Sequence, residues 1–236
     1  MSAAPRLVTL AGPPSAGKTS VILRAADRLV AGGTRVGVVK FDSLATDDDR
    51  VFAARGIPVA VGIAGGLCPD HFFVTNVEAC LAWGGRQGLE LLILESAGLC
   101  NRCAPHLRDV PAVCVVDCLA GVNTPRKIGP MLRLADLVVI TKGDIVSQAE
   151  REVFAYNVRL ANPLATVLFC NGITGQGAVE LAHHLGAGAP LASLDGRRLR
   201  FSMPSAVCPY CVGETAVGET HHRGHVKAMR FEDQPE

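Results

Sequence analysis

Short, mostly apolar runs alternate along the chain with longer amphipathic stretches. Residues 7–11 form such a run, which ends in a glycine-rich loop. Residues 19–30 then carry apolar positions at helical spacing, so a strand, a loop and a helix are predicted in that order. Further strand-like runs fall at 35–40, 89–94, 110–116, 137–141 and 165–170, and most of the segments between them are long enough for a helix. This alternation predicts a mostly parallel sheet with helices on both faces, a three-layer α/β domain. After residue 186 the character changes. Gly, Ala and Pro accumulate, and Cys208, Cys211, His221, His222 and His225 follow without helical periodicity. Residues 1–189 are therefore expected to form the main domain, and residues 190–236 a small Cys/His-containing C-terminal module.

The loop after the first run reads Gly12-Pro13-Pro14-Ser15-Ala16-Gly17-Lys18-Thr19, a complete P-loop pattern in the strand–loop–helix context that the motif requires. Backbone groups from Gly12, Pro13, Ser15, Ala16 and Gly17, and the residues that open the helix, Lys18, Thr19 and Ser20, are expected to surround nucleotide phosphates. Lys18 would reach the β and γ phosphates, and the Thr19 hydroxyl would ligate Mg²⁺.

Thr141-Lys142-Gly143-Asp144 directly follows the run 137–140. The Asp144 carboxylate there can accept two hydrogen bonds from guanine N1 and N2, a donor pair that adenine lacks, so GTP is the expected nucleotide. Glu95 closes the run 89–94 and places a carboxylate near the Mg²⁺ position. Gly98, three residues on, offers a backbone N–H to the γ-phosphate. Asp42 closes the second run, where its carboxylate could orient water or the ion. Lys18, Asp42 and Glu95 are thus the candidate catalytic groups.

Composition narrows the partners. The 236 residues carry 23 Lys+Arg against 22 Asp+Glu, a net charge of +1, with no basic stripe of the kind a nucleic-acid backbone needs. The chain begins without a charged, then apolar, export signal, and no apolar run approaches the ~20 residues that span a bilayer. A cytoplasmic location, with neither membrane nor nucleic acid as a partner, is the expectation. Nine cysteines in such a chain point to reduced thiols used for metal binding or core packing rather than to disulfides. Cys80, Cys114, Cys118 and Cys170 lie in apolar runs and are read as core residues.

With these features in place, residues 6 to 186 resemble the nickel-metallochaperone GTPases, above all the urease accessory GTPase, with the hydrogenase-maturation GTPase a close relative. The most specific stretch is Val116-Asp117 through Gly121, then Pro125-Arg126-Lys127-Ile128-Gly129-Pro130, leading into the strand before Lys142. Asn171-Gly172-Ile173-Thr174-Gly175-Gln176-Gly177 is similar to the family's last nucleotide-side loop. The resemblance implies a homodimer, slow GTP hydrolysis that gates metal transfer, and a client metalloenzyme or its accessory proteins as partners. It also implies a metal site at Cys68-Pro69-Asp70-His71, where the family has a Cys-Pro-His motif for nickel or zinc. Here Asp70 holds the histidine's place and His71 comes one later.

The sequence departs from that family in one further respect. Cys100 and Cys103 form a CxxC just beyond Gly98, and Cys208 and Cys211 form a second. Two such pairs can build one four-thiolate site for zinc or an iron–sulfur cluster, two separate sites, or one site shared across a dimer, and a dithiol redox role is the main rival. The HHxxH cluster of His221, His222 and His225 could hold or deliver a borderline ion such as Ni²⁺ or Zn²⁺. The expected function is GTP-driven metal delivery. A nucleotide hydrolase carrying an iron–sulfur cluster, for cluster delivery or electron transfer, and a non-enzymatic nucleotide-regulated metal sensor or store are the alternatives.

Overall fold

A computed structural model describes residues 4–44, 47–100, 103–201, 213–221 and 227–231. Seven strands, β1 (Arg6–Ala11), β2 (Val36–Asp42), β3 (Val59–Ile63), β4 (Leu91–Glu95), β5 (Ala112–Asp117), β6 (Leu137–Thr141) and β7 (Thr166–Phe169), form one sheet in the order β3-β2-β4-β1-β5-β6-β7. Every pairing is parallel. The helices are α1 (Lys18–Ala31), α2 (Asp48–Ala53), α3 (Pro69–Arg86), α4 (Pro130–Arg133), α5 (Gln148–Ala161) and α6 (Ala178–Leu185).

Because successive side chains of a strand point to opposite faces, the central strands are apolar throughout and feed two layers at once. In β4, Leu91 and Ile93 pack with Val21, Ile22, Ala25 and Ala26 of α1 and with α6, whereas Leu92 and Leu94 pack with Phe73, Val77 and Trp83 of α3. In β6, Leu137 and Val139 face the α1 side, and Val138 and Ile140 face α5. The sequence expectation of a mostly parallel, three-layer sheet holds.

Two elements escape the simple pattern. β3 is one of the two edge strands, and its residues Val59-Ala60-Val61-Gly62-Ile63, although apolar throughout, are mostly half-buried. α3 begins at the Cys68-Pro69 step. Cys68 is its N-cap, and Pro69 opens the helix at a position where a missing N–H costs nothing.

Beyond residue 189 the described chain packs onto the main core. Leu191, Leu194, Leu199, Val217, Met229 and Phe231 share one cluster with α3, and Phe231 stacks on Trp83 at 5.7 Å. Asn76 of α3 donates to the Lys227 carbonyl (2.9 Å) and accepts from the Met229 N–H (2.7 Å). Arg200 donates to the carbonyls of Leu107, Leu134 and Val110 and to both Asp136 carboxylate oxygens at 2.7 Å. The tail is thereby tied to the segment that follows Cys103. Among the described residues no helix is long and apolar enough to cross a membrane.

Candidate functional site

The P-loop joins β1 to α1 at the carboxyl edge of the sheet. Gly17, the N-cap of α1, has φ +88°, a left-handed conformation natural to glycine, and a β-carbon on Gly12 would collide with the Val115 carbonyl of β5. The loop therefore lies flat on the sheet edge with the amino end of α1 open beside it. Lys18 is 7% exposed, and its Nζ donates to the carbonyls of Gly12 (2.9 Å) and Pro13 (3.1 Å). Burial lowers its pKa against the pull of Glu95. Ser15 and Ser20 are exposed on the two sides of the loop, and Ala16 is buried beneath it.

The residues that end β6 and follow it brace the same loop. Thr141 Oγ1 donates to the Ala16 carbonyl (2.6 Å), and Lys142 Nζ donates to the Ser15 carbonyl (2.7 Å) and lies 3.7 Å from Asp117 Oδ2. Asp144 is exposed at the end of β6, on a cleft that it shares with Asn171. In the following loop the Asn171 carboxamide oxygen accepts from the N–H groups of Ile173 and Thr174, and Arg24 of α1 reaches back to the Gly172 carbonyl. Lys142 thus braces the P-loop, and Asp144 stands on the neighbouring cleft.

On the other flank, Thr19 Oγ1 donates to Glu95 Oε1 (3.1 Å) and lies 3.2 Å from Asp48 Oδ2. Burial pushes the Glu95 carboxyl up, against the pull of Lys40 and Lys18. Lys40 of β2 sits against this group, with Nζ 3.1 Å from Glu95 Oε1 and 2.8 Å from Asp48 Oδ2. Burial works against the Lys40 charge, but Glu95 and Asp48 raise its pKa overall. Asp42, at the end of β2, is 4.0 Å from the same ammonium and accepts from the Ser43 N–H. A hydroxyl and carboxylates converging on one cation are the donor set of a hard ion, so Thr19 and Glu95 suit Mg²⁺.

A second cluster lies where the carboxyl ends of β3 and β4 lead into α3 and into the segment after Gly98. One oxygen of Asp70 and the sulfurs of Cys100 and Cys103 lie within 4.8 Å of one another, with Cys100 and Cys103 3.6 Å apart. Asp70 is 1% exposed, and among the described residues neither carboxylate oxygen has an N–H or O–H partner; the neighbour it meets is the Cys103 thiol. Burial pushes the Asp70 carboxyl up to about 6. Burial, and then the negative charge of Asp70, Cys100 and Cys68, push the Cys103 thiol far upward. A buried carboxylate beside two thiols, which repel one another once deprotonated, forms surroundings in which a divalent cation is stabilised.

Cys68 is exposed at the head of α3 and acts on Cys103 electrostatically. His71 is buried in the first turn of α3 and is not one of the clustered ligands, so it is Asp70 that joins the two thiols. His221 ends a short 3-10 turn. Cys208, Cys211, His222 and His225 lie outside the described residues. Cys80, Cys114, Cys118 and Cys170 are buried with raised pKa values, as core thiols should be.

Sequence reasoning missed Lys40 and Asp48, and it placed Asp70 within the metal motif without giving it a ligand's role. A lysine inside the apolar run of β2 was a readable signal. Asp48 was hidden in the acidic run 47–49, which reads as a solvated turn.

This fold and this loop define a P-loop nucleotide-binding protein. The chain belongs to the CobW/HypB/UreG family, whose nucleotide-binding domain matches residues 6–169. An uncharacterized protein of Methanocaldococcus jannaschii is 46% identical over 224 residues, covering 95% of this chain and 96% of that one. The urease accessory protein UreG of Mycolicibacterium gilvum is 29% identical over 197 residues, covering 78% and 95%. The crystal structure of HypB from Helicobacter pylori in complex with nickel superposes with a TM-score of 0.60 at 17% identity, covering 77% of this chain and 86% of that one.

Proposed function

We propose that the chain is a GTPase metallochaperone, which binds a borderline divalent cation at Asp70, Cys100 and Cys103 and releases it to a client metalloenzyme in step with GTP hydrolysis. The observation that carries this reading is the join between the two sites. Gly98 touches the P-loop, and Cys100 follows two residues later.

In this reading the amino end of α1 and Lys18 hold the phosphates, and Lys142 and Asp144 select guanine. Thr19 and Glu95 hold Mg²⁺, which would neutralise phosphate charge when bound. Asp42 orients water. A γ-phosphate accepting from the Gly98 N–H fixes the loop in one position, and loss of that phosphate frees it. The thiolates then change their distance from Asp70, and affinity for the cargo changes with nucleotide state.

Two thiolates and one carboxylate favour Ni²⁺ or Zn²⁺ as cargo. The nickel in the HypB complex and the urease role in the UreG name support metalloenzyme maturation as the setting. Exposed Cys68 stands at the rim as a fourth ligand or as the point of hand-over. Homodimerisation, a cytoplasmic location, and a delivery role for Cys208, Cys211, His221, His222 and His225 complete the proposal.

The test is metal release from purified protein loaded with Ni²⁺ or Zn²⁺, followed with a chromogenic chelator while GTP, GDP or a non-hydrolysable analogue is added. Nucleotide-dependent release that disappears when Cys100 and Cys103 are both changed to serine, with GTP binding retained, supports the reading. Release that ignores the nucleotide refutes it.

A further inference from the structure

We infer that Lys40 is a tethered cation of the magnesium site, which competes with Mg²⁺ for Thr19 and Glu95 and so sets how much Mg²⁺ the protein requires. This rests on the nucleotide reading above but concerns a residue which that reading does not use.

Lys40 and Glu95 are direct partners in the β2–β4 register, so the sheet itself points the lysine at the carboxylate. Lys40 is 6% exposed and Glu95 1%. The Lys40 ammonium donates to Glu95 Oε1 at 3.1 Å, to Asp48 Oδ2 at 2.8 Å and to Thr19 Oγ1 at 3.3 Å. Lysine is rarely buried to this degree unless its charge is paired, and here every polar partner belongs to the oxygen set that suits a hard cation.

Mg²⁺ binds carboxylate oxygens at about 2.0–2.1 Å, well inside the hydrogen-bonding radius of an ammonium. Both cations cannot therefore hold Glu95 Oε1 and Thr19 Oγ1 together without close like-charge contact in a buried place. Lysine has the flexible stem needed to yield. Asp42 and Asp48, whose side chains are 34% and 37% exposed, offer it an alternative anchorage at the rim. Displacement of Lys40 thus accompanies Mg²⁺ loading, and by reciprocity Lys40 weakens Mg²⁺ binding.

The test uses the full-length protein, with Mn²⁺ as a spectroscopic stand-in for Mg²⁺, titrated by electron paramagnetic resonance with and without GDP. Lys40→Met, which keeps the bulk and removes the charge, is expected to lower the half-saturating Mn²⁺ roughly tenfold. An unchanged value overturns the inference. Removing a positive charge could tighten metal binding without any competition, so a second measurement is made on the wild type. Acylation of Lys40, followed by mass spectrometry, should be slow in chelator and faster when Mg²⁺ saturates the site. Labelling indifferent to Mg²⁺ overturns the inference, even where Lys40→Met fails to fold. A chain that binds no guanine nucleotide would sink the nucleotide reading instead, while the Mn²⁺ titration without GDP would still report on Lys40.

Discussion

Gly98 lies directly against Gly12. A β-carbon on Gly98 would collide with the Gly12 carbonyl and come within 3.3 Å of Lys18 Nζ, at a backbone φ of +71° that disfavours any side chain. The segment leading to Cys100 therefore has no clearance from the loop that cradles phosphate. Gly98→Ala should push the two apart. The expected result is at least a tenfold loss of GTP affinity, with metal bound as in wild type but released without regard to nucleotide. Fluorescent-nucleotide titration and chelator release measure the two halves separately.

Asp144 is exposed and stands at the end of β6, away from the packing core. Asp144→Asn should leave the melting temperature within a degree or two. It should weaken GTP by about 1.5–3 kcal/mol, the loss for a hydrogen bond to a charged group, while ATP affinity stays unchanged. Competition between GTP, ATP and xanthosine triphosphate reads this directly. Equal losses for GTP and ATP would remove Asp144 from base selection.

Asp70 presents an uncommon combination, a carboxyl that is buried, lacks N–H donors and meets two sulfurs. In the metal-free protein it is a liability, because a buried carboxylate whose donor neighbour is only a weak thiol carries a desolvation penalty of about 1–3 kcal/mol. Asp70→Leu is therefore expected to unfold at an equal or higher temperature than wild type in chelator, yet to lose stabilisation by added Zn²⁺ or Ni²⁺. A residue kept only for packing would show the opposite pattern.

His106 is fully buried, with Nδ1 2.9 Å from Thr9 Oγ1 and Nε2 3.3 Å from the Met131 carbonyl. Burial and then Arg200 lower its pKa to about 4, while Met131 and Asp136 oppose the shift. The unfolded chain, with a histidine pKa near 6.5, binds the proton more readily than the folded one between these values. Stability from this group is thus complete above about pH 6.5 and is lost as pH falls toward 4, by up to about 3 kcal/mol. Denaturant unfolding of wild type and His106→Gln across that window should show a steeper pH slope in the wild type. Parallel slopes would mean that other groups carry the acid sensitivity.

The layers of the fold were legible because parallel strands buried on both faces leave continuous apolar runs, as at 137–141, and because a P-loop announces its own strand and helix. Edge strand β3, although apolar from Val59 to Ile63, was not legible because Gly62 interrupts it and Pro58 and Gly65-Gly66 flank it, residues that read as a loop. In the candidate nucleotide site, Lys18, Thr19, Glu95, Lys142 and Asp144 stand at motif positions; Lys18, Thr19, Glu95 and Lys142 lie in or against the P-loop, and Asp144 lies on the cleft beyond β6. The meeting of Asp70 with Cys100 and Cys103 was invisible, because it depends on how the start of α3 approaches the end of β4, about 30 residues away along the chain. His71 follows Asp70 by one residue, and along a helix that is a turn of about 100°, enough to carry a side chain out of a site.

The strand order places β1 between two flanks with separate duties. β4, β2 and β3 lie on one side and carry the oxygen and sulfur clusters, while β5, β6 and β7 lie on the other and carry the base-side loops. The P-loop lies between them, against Gly98 on one side and Lys142 on the other. If the proposed function holds, substitutions that retune cargo can accumulate on one wing of the sheet without disturbing the choice of nucleotide on the other, so that a lineage could change the metal it carries while keeping the fuel it consumes.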